Sequence, residues 1–306
     1  MSENSEFEDD IAMGCIVAIS VFGLISNGLS FYLTRTRSRF RNAFGILCSS
    51  FLICNLQAII VLLTWCTIVL SLKSSILSSP ELFPVRFVGV LANGAWFGSL
   101  LVHFFTALNR FCAFVYATKY DQLWSKSRAF FIGICCWAFG LLFSTQHLYK
   151  ECSFVFNENS NYRFSFQSSF YGKICSYTDT VATVGIVLGM ACIDFATLLK
   201  IIAYQRAMRK NVALSTSGAI NEREILFFKQ SCILGLLYIS CATTFNTAPY
   251  LSTDKWFLFA SSTIIWILTQ SLDGLTFLIF NRTIICSAST TLPVIHMNWI
   301  QTNTRQ

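Results

Sequence analysis

Charge is scarce in this chain. Asp, Glu, Lys and Arg make up 12% of its 306 residues, against 54% apolar residues and 30 phenylalanines, with a mean hydropathy of +0.58. So little charge cannot clothe a single water-soluble core, and the composition is that of an integral membrane protein. Catalytic motifs are missing as well: there is no GxSxG, no HExxH, no phosphate loop, and no carboxylate pair set beside a nucleophile. No catalytic residue is assigned and no enzyme activity is expected. No CxxC pair or Cys/His cluster has metal-ligand spacing, and His103, His147 and His296 are scattered, so neither a metal nor another cofactor is expected. The last apolar run contains no lysine to carry a retinal Schiff base, Lys255 standing at its margin, which argues against light sensing. Residues 1–10 lack a basic region and lead into an apolar run long enough to span, so a cleavable signal peptide is not expected.

Long apolar runs are what the chain has in abundance. About 20 mostly apolar residues cross roughly 30 Å of hydrocarbon, and stretches near 11–33, 45–70, 87–108, 129–146, 181–203, 229–250 and 256–280 qualify. Runs of that length read as helices, because a lipid-exposed backbone must satisfy its own hydrogen bonds. The expectation is an all-α membrane protein, a seven-transmembrane helix bundle. The formal charge of +7 is unevenly spread. With the N-terminus outside and the C-terminus inside, 16 of the 22 basic residues fall in inner segments, and only Lys73, Arg86, Lys150, Arg163, Lys173 and Lys255 lie outside. That is the positive-inside pattern, and it argues for lipid rather than nucleic acid as the partner of the basic residues. Residues 1–10 read as an extracellular N-terminus, 11–285 as the seven-helix domain, and 286–306 as a cytoplasmic tail.

Eleven of the 13 cysteines fall in spans, at their ends or on the inner side. Cys152 and Cys175 are the two in an outer loop and are the candidates for a disulfide with each other. That loop, about 147–180, is rich in aromatic residues, and the alternation in SFVFNENSNYRFSFQ is compatible with a β-hairpin turning at 157–161. Such a loop either caps a pocket or rests on headgroups. Asn281-Arg282-Thr283 matches a glycosylation site but falls inside by this topology, and Cys286 is a weak palmitoylation candidate.

The polar residues within the spans carry the functional signal, because intramembrane ionisable groups are costly and by default paired or functional. Asn27, Asn55 and Asp273 are candidates for an interior polar network; Asp194 is a further buried carboxylate. Arg110 sits where the third apolar run ends, and by itself reads either as a snorkelling cation or as a bundle-interior group. His103 lies two turns from it on nearly the same face. Trp96, His103, Trp266 and Gln270 are the candidates for a ligand pocket.

The order of these features resembles the G-protein-coupled receptors. Asn109-Arg110-Phe111 stands where rhodopsin-like receptors carry an acidic-Arg-aromatic triplet, and Asp273-Gly274-Leu275-Thr276-Phe277 resembles their seventh-helix motif, with Gly274 in place of proline, where it still permits a bend. A more specific resemblance, over residues 11–285, is to the nematode chemoreceptors named serpentine receptor class X. It is carried by ALNRFCAF followed by KYDQLW, by NEREILFFKQSC and by LDGLTFLIFN. Two departures stand out: there is no cysteine between Leu72 and Leu108 to bond the second outer loop, and no second-helix aspartate to anchor sodium, only Ser50, Asn55 and Gln57. The resemblance implies a plasma-membrane chemosensory receptor of sensory neurons or their cilia. It would bind an external small molecule and signal through a heterotrimeric G protein, with Asn109, Arg110 and Phe111 as the coupling switch. A peptide-activated receptor and a small-solute transporter are the alternatives.

Overall fold

In the computed structural model, described over residues 3–157, 162–210 and 222–281, seven helices are long and apolar enough to cross a membrane. They are α1 (Glu3–Thr36), α2 (Ala43–Leu72), α3 (Phe83–Val115), α4 (Lys126–Ser144), α5 (Phe170–Lys210), α6 (Glu222–Leu251) and α7 (Lys255–Phe280). Four of the helices begin or end for a local reason. Asn42 caps α2 by accepting from the Gly45 amide at 3.0 Å, and Lys73 closes it in the left-handed region at φ 48°. Pro84 occupies the first turn of α3, where a missing N–H costs nothing. Ser125 caps α4, and Asp254 starts α7 by accepting from the Phe257 amide at 2.7 Å. Most of the helices run past the apolar windows of the sequence, since capped polar turns continue the ladder beyond the hydrocarbon. The tail with Cys286, and the side chains of Arg209, Lys210 and Arg223, lie outside the described residues.

α3 is the axis of the bundle. Within its apolar window 72% of residues are buried, against 22% for α5 and for α6, whose outward faces are left for lipid. Val181, Leu188, Phe195 and Leu199 form one such exposed stripe at helical spacing on α5. The contact between α3 and α4 is made backbone to backbone. Gly94 and Gly98 on α3 face Gly140 on α4 so closely that a Cβ on Gly140 would strike the Gly94 carbonyl and the Gly98 amide. Likewise a Cβ on Gly274 would lie 2.6 Å from the Asn27 nitrogen. α7 passes through Gly274 as continuous α-helix, and this glycine serves close approach to α1. The irregular turn of α7 lies further up, a π-turn at Ala260–Ile264.

One end of the bundle is closed by an antiparallel hairpin, β1 (Phe154–Asn157) with β2 (Arg163–Phe166), in the register Phe154 opposite Phe166 and Phe156 opposite Phe164. This hairpin is set into the bundle mouth instead of lying flat on its rim. Phe154, Val155, Phe156, Tyr162 and Phe164 are all buried, and Phe154 and Phe164 stand 5.9 and 5.8 Å from the Trp266 ring. The Thr263 hydroxyl, in the π-turn, donates to the Tyr162 carbonyl at 2.7 Å. A disulfide between Cys152 and Cys175 ties the start of the hairpin to α5. Above it, Asp9 of α1 accepts from the Tyr162 hydroxyl at 2.6 Å and pairs with Lys73 at 3.2 Å, while Glu8 pairs with Lys255 at 3.0 Å.

Candidate functional site

The carboxylate of Asp273 is fully buried at the meeting point of five helices. Its Oδ2 accepts from Asn55 Nδ2 at 2.7 Å, from the Tyr238 hydroxyl at 2.9 Å, and contacts His103 Nε2 at 3.1 Å. Asn55 Oδ1 in turn accepts from the Ser99 hydroxyl, which lies 2.8 Å from that of Tyr238. Asn55 also reaches Asn27 at 3.4 Å, and Asn27 donates to the carbonyls of Gly23 and Gln270. The network thus draws one residue or more from α1, α2, α3, α6 and α7. A carboxylate in hydrocarbon needs such donors, because burial of an uncompensated charge costs several kcal/mol. His103 is held flat by Phe51 on one side, ring centroids 4.5 Å apart, and by Tyr238 at 4.9 Å on another. Of the other second-helix candidates, Ser50 bonds its own helix at Ile46, and Gln57 links α2 to Leu91 of α3 and Trp137 of α4.

Two turns further along α3, Arg110 is 2% exposed, with its guanidinium carbon 3.3 Å over the Phe44 ring of α2. It is therefore a bundle-interior cation and does not snorkel. Asn109 beside it is buried and donates to the Tyr120 hydroxyl at 2.9 Å, which fixes the turn after α3 against that helix. Phe111, half-buried, meets Tyr116 edge to face at 6.5 Å. Asp194 of α5 is buried within electrostatic reach of both Arg110 and His103.

Toward the hairpin, α3, α5, α6 and α7 part around a half-open cavity. Its aromatic walls are Trp96, Phe154, Phe166, Phe245 and Trp266, and its polar walls come chiefly from Asn93, Asp179, Thr180 and Asn246. Trp96 and Trp266 of the expected pocket line it, their rings 6.3 Å apart and edge to face. His103 and Gln270 do not: the first belongs to the Asp273 network and the second, fully buried, lies against α1. Behind the wall, Asn93 Nδ2 bridges His147 Nε2 at 2.7 Å and Asp179 Oδ2 at 2.8 Å, and Gln146 donates to Asp179 Oδ1 at 2.6 Å.

Tyr238, Ser99, Phe44, Asn93, His147 and Asp179 join these sites without a signal strong enough to single them out in the sequence. Each is a common residue in an apolar or loop context. The available hint was polarity inside a span, which marks Asn93 and Ser99 but is silent for Phe44. A family described as serpentine type seven-transmembrane G-protein-coupled chemoreceptor Srx matches residues 17–281. No curated protein matches the chain.

Proposed function

This chain belongs to the Srx family of serpentine seven-transmembrane chemoreceptors, and from that premise we propose that it is a G-protein-coupled receptor for an external small molecule. The family is one of receptors, not enzymes, and the seven apolar helices make the protein multi-pass. In the proposed topology the positive-inside bias puts the hairpin end and the N-terminus outside, and the Arg110 end and C-terminus in the cytoplasm of a sensory neuron. A ligand enters the cavity beneath the hairpin, and the G protein docks at the other end.

The observation that carries this reading is the unbroken path between the two ends. Trp96 in the cavity wall stands 5.1 Å from the ring of Tyr238, whose hydroxyl holds Asp273, and His103 on the same carboxylate precedes Arg110 by two turns of α3. A ligand that displaces Trp96 or α6 therefore changes the donors on Asp273. It shifts the equilibrium by its difference in affinity for the two arrangements; reversing a 1:99 population takes about 5.5 kcal/mol. In the state that signals, Arg110 leaves the Phe44 ring and contacts the G protein.

The test is expression with a promiscuous G protein and a panel of volatile and water-soluble metabolites, with Arg110→Ala alongside. A second-messenger response lost in Arg110→Ala, at unchanged surface density and ligand binding, is the expected result. Normal signalling by that variant rules out the role given to Arg110, and solute flux in vesicles without a G protein rules out the receptor reading.

A further inference from the structure

The cavity wall is chemically lopsided. Among the residues lining it, Asp179 is the one that carries a formal charge; no lysine or arginine is among them. Among the described residues Asp179 is paired with no lysine or arginine; its partners are His147, Asn93 and Gln146. His147 Nδ1 lies 3.0 Å from the Cys152 carbonyl, which can only accept, so Nδ1 bears a proton. Its Nε2 lies 2.7 Å from Asn93 Nδ2. The same Nε2 lies 3.3 Å from Asp179 Oδ2, so an imidazole rather than a lysine or arginine stands against that oxygen. The two other donors on the carboxylate, from Asn93 and Gln146, are neutral amides. Three lysines at the hairpin end pair with other carboxylates: Lys150 with Glu81, Lys73 with Asp9 and Lys255 with Glu8.

Aromatic rings line the same cavity. The Phe154 and Phe166 rings lie 5.8 and 5.6 Å from the His147 ring, and Trp96 and Trp266 complete the wall. A carboxylate in an aromatic-lined cavity attracts a positive charge on both counts, by the ion pair and by the ring quadrupoles. It repels an anion and leaves a neutral polar head with no gain over water.

We propose that the ligand of this cavity is an organic ammonium ion with an apolar or aromatic body, its cationic head against Asp179 of α5 and its body among Trp96, Phe245 and Trp266. This rests on the reading of the cavity as the ligand site and adds the charge class of what enters it.

Three isosteric probes separate charge from shape: 4-phenylbutylammonium, 4-phenylbutan-1-ol and 4-phenylbutanoate, with binding to the full-length chain in lipid nanodiscs measured by radioligand saturation and competition. The ammonium binds saturably, the alcohol at least about tenfold more weakly, and the carboxylate does not compete. Asp179→Asn removes the preference for ammonium over alcohol, and Asp179→Glu restores it. Should Asp179→Asn fail to fold, Asn246→Lys puts a cation on the α6 wall, where it abolishes ammonium binding and admits the carboxylate. Equal binding of alcohol and ammonium, a preference that survives Asp179→Asn, or no saturable ammonium binding overturns the proposal. The two readings fail separately. Ammonium binding by a receptor that never activates a G protein sinks the proposed function and leaves this inference standing; G-protein signals evoked only by neutral or anionic compounds do the reverse.

Discussion

Tyr238→Phe removes one oxygen from the centre of the bundle and leaves the ring in place. The phenyl group keeps its contacts with Trp96 and His103, at 5.1 and 4.9 Å, so packing is nearly unchanged. What goes is the hydrogen bond to Asp273 Oδ2 at 2.9 Å and the 2.8 Å contact with Ser99. A hydrogen bond to a charged group is worth about 1.5–3 kcal/mol in water-soluble proteins, but side-chain bonds within membrane bundles average about 0.6 and reach about 1.7. Asp273 keeps Asn55 and His103, and Ser99 keeps Asn55, so neither is orphaned. The bilayer range applies, and the expected cost is about 0.6–1.7 kcal/mol. At about 2–4 °C per kcal/mol, the thermal midpoint of purified receptor falls by a few degrees. Because Tyr238 is the residue through which α6 holds the carboxylate, the same loss loosens α6, and 1.4 kcal/mol is a tenfold change in a two-state equilibrium. Nucleotide exchange on a co-reconstituted G protein, without ligand, is the assay. A double-mutant cycle with Asn55→Ala should show coupling, since both donate to one oxygen. Unchanged midpoint and basal exchange, together with strict additivity in the cycle, would refute the reasoning.

Three further outcomes follow from the geometry. Cys152→Ser opens a link between residues 23 apart in sequence, and the chain-entropy estimate of about 3 kcal/mol predicts a lower thermal midpoint, matched in the parent by reduction. Gly140→Val places a side chain against the backbone of Gly94 and Gly98, with no flexible neighbour to yield, and should abolish surface expression as read by flow cytometry. Burial, and then the hydrogen bond to Asp9, push the Tyr162 phenol up to about 12. An unfolded tyrosine loses its proton near pH 10, so between about pH 10 and 12 the native state holds a proton that the unfolded chain has lost. The contribution is whole below pH 10 and falls as pH rises toward 12. Thermal midpoints should therefore drop more steeply with alkaline pH in the parent than in Tyr162→Phe, and parallel slopes would contradict the shift.

The apolar runs alone determined that this chain lies in a membrane as helices, because their length matches the hydrocarbon and no other backbone arrangement satisfies itself there. Local residues also carried Asn27, Asn55 and Asp273 as interior groups, since an amide or carboxylate in a span has nowhere else to go. What a linear pattern could not hold was pairing across the bundle. The choice for Arg110 between lipid phosphates and the bundle interior depends on Phe44, 66 residues away, being a ring under the guanidinium. Phenylalanine carries no polar mark to announce it. Gly274 was legible as unusual, yet its use was decided by the distance to Asn27 rather than by any bend. His103 and Gln270 share the polarity of pocket residues, and only helix rotation sends them to the Asp273 network and to α1. Asp179, just before the fifth apolar run where a solvated carboxylate is ordinary, becomes a buried carboxylate facing a cavity because Asn93, Gln146 and the hairpin close around it. The composition of each helix is local information, but which faces meet is set by close packing of all seven, and that is where the site is made.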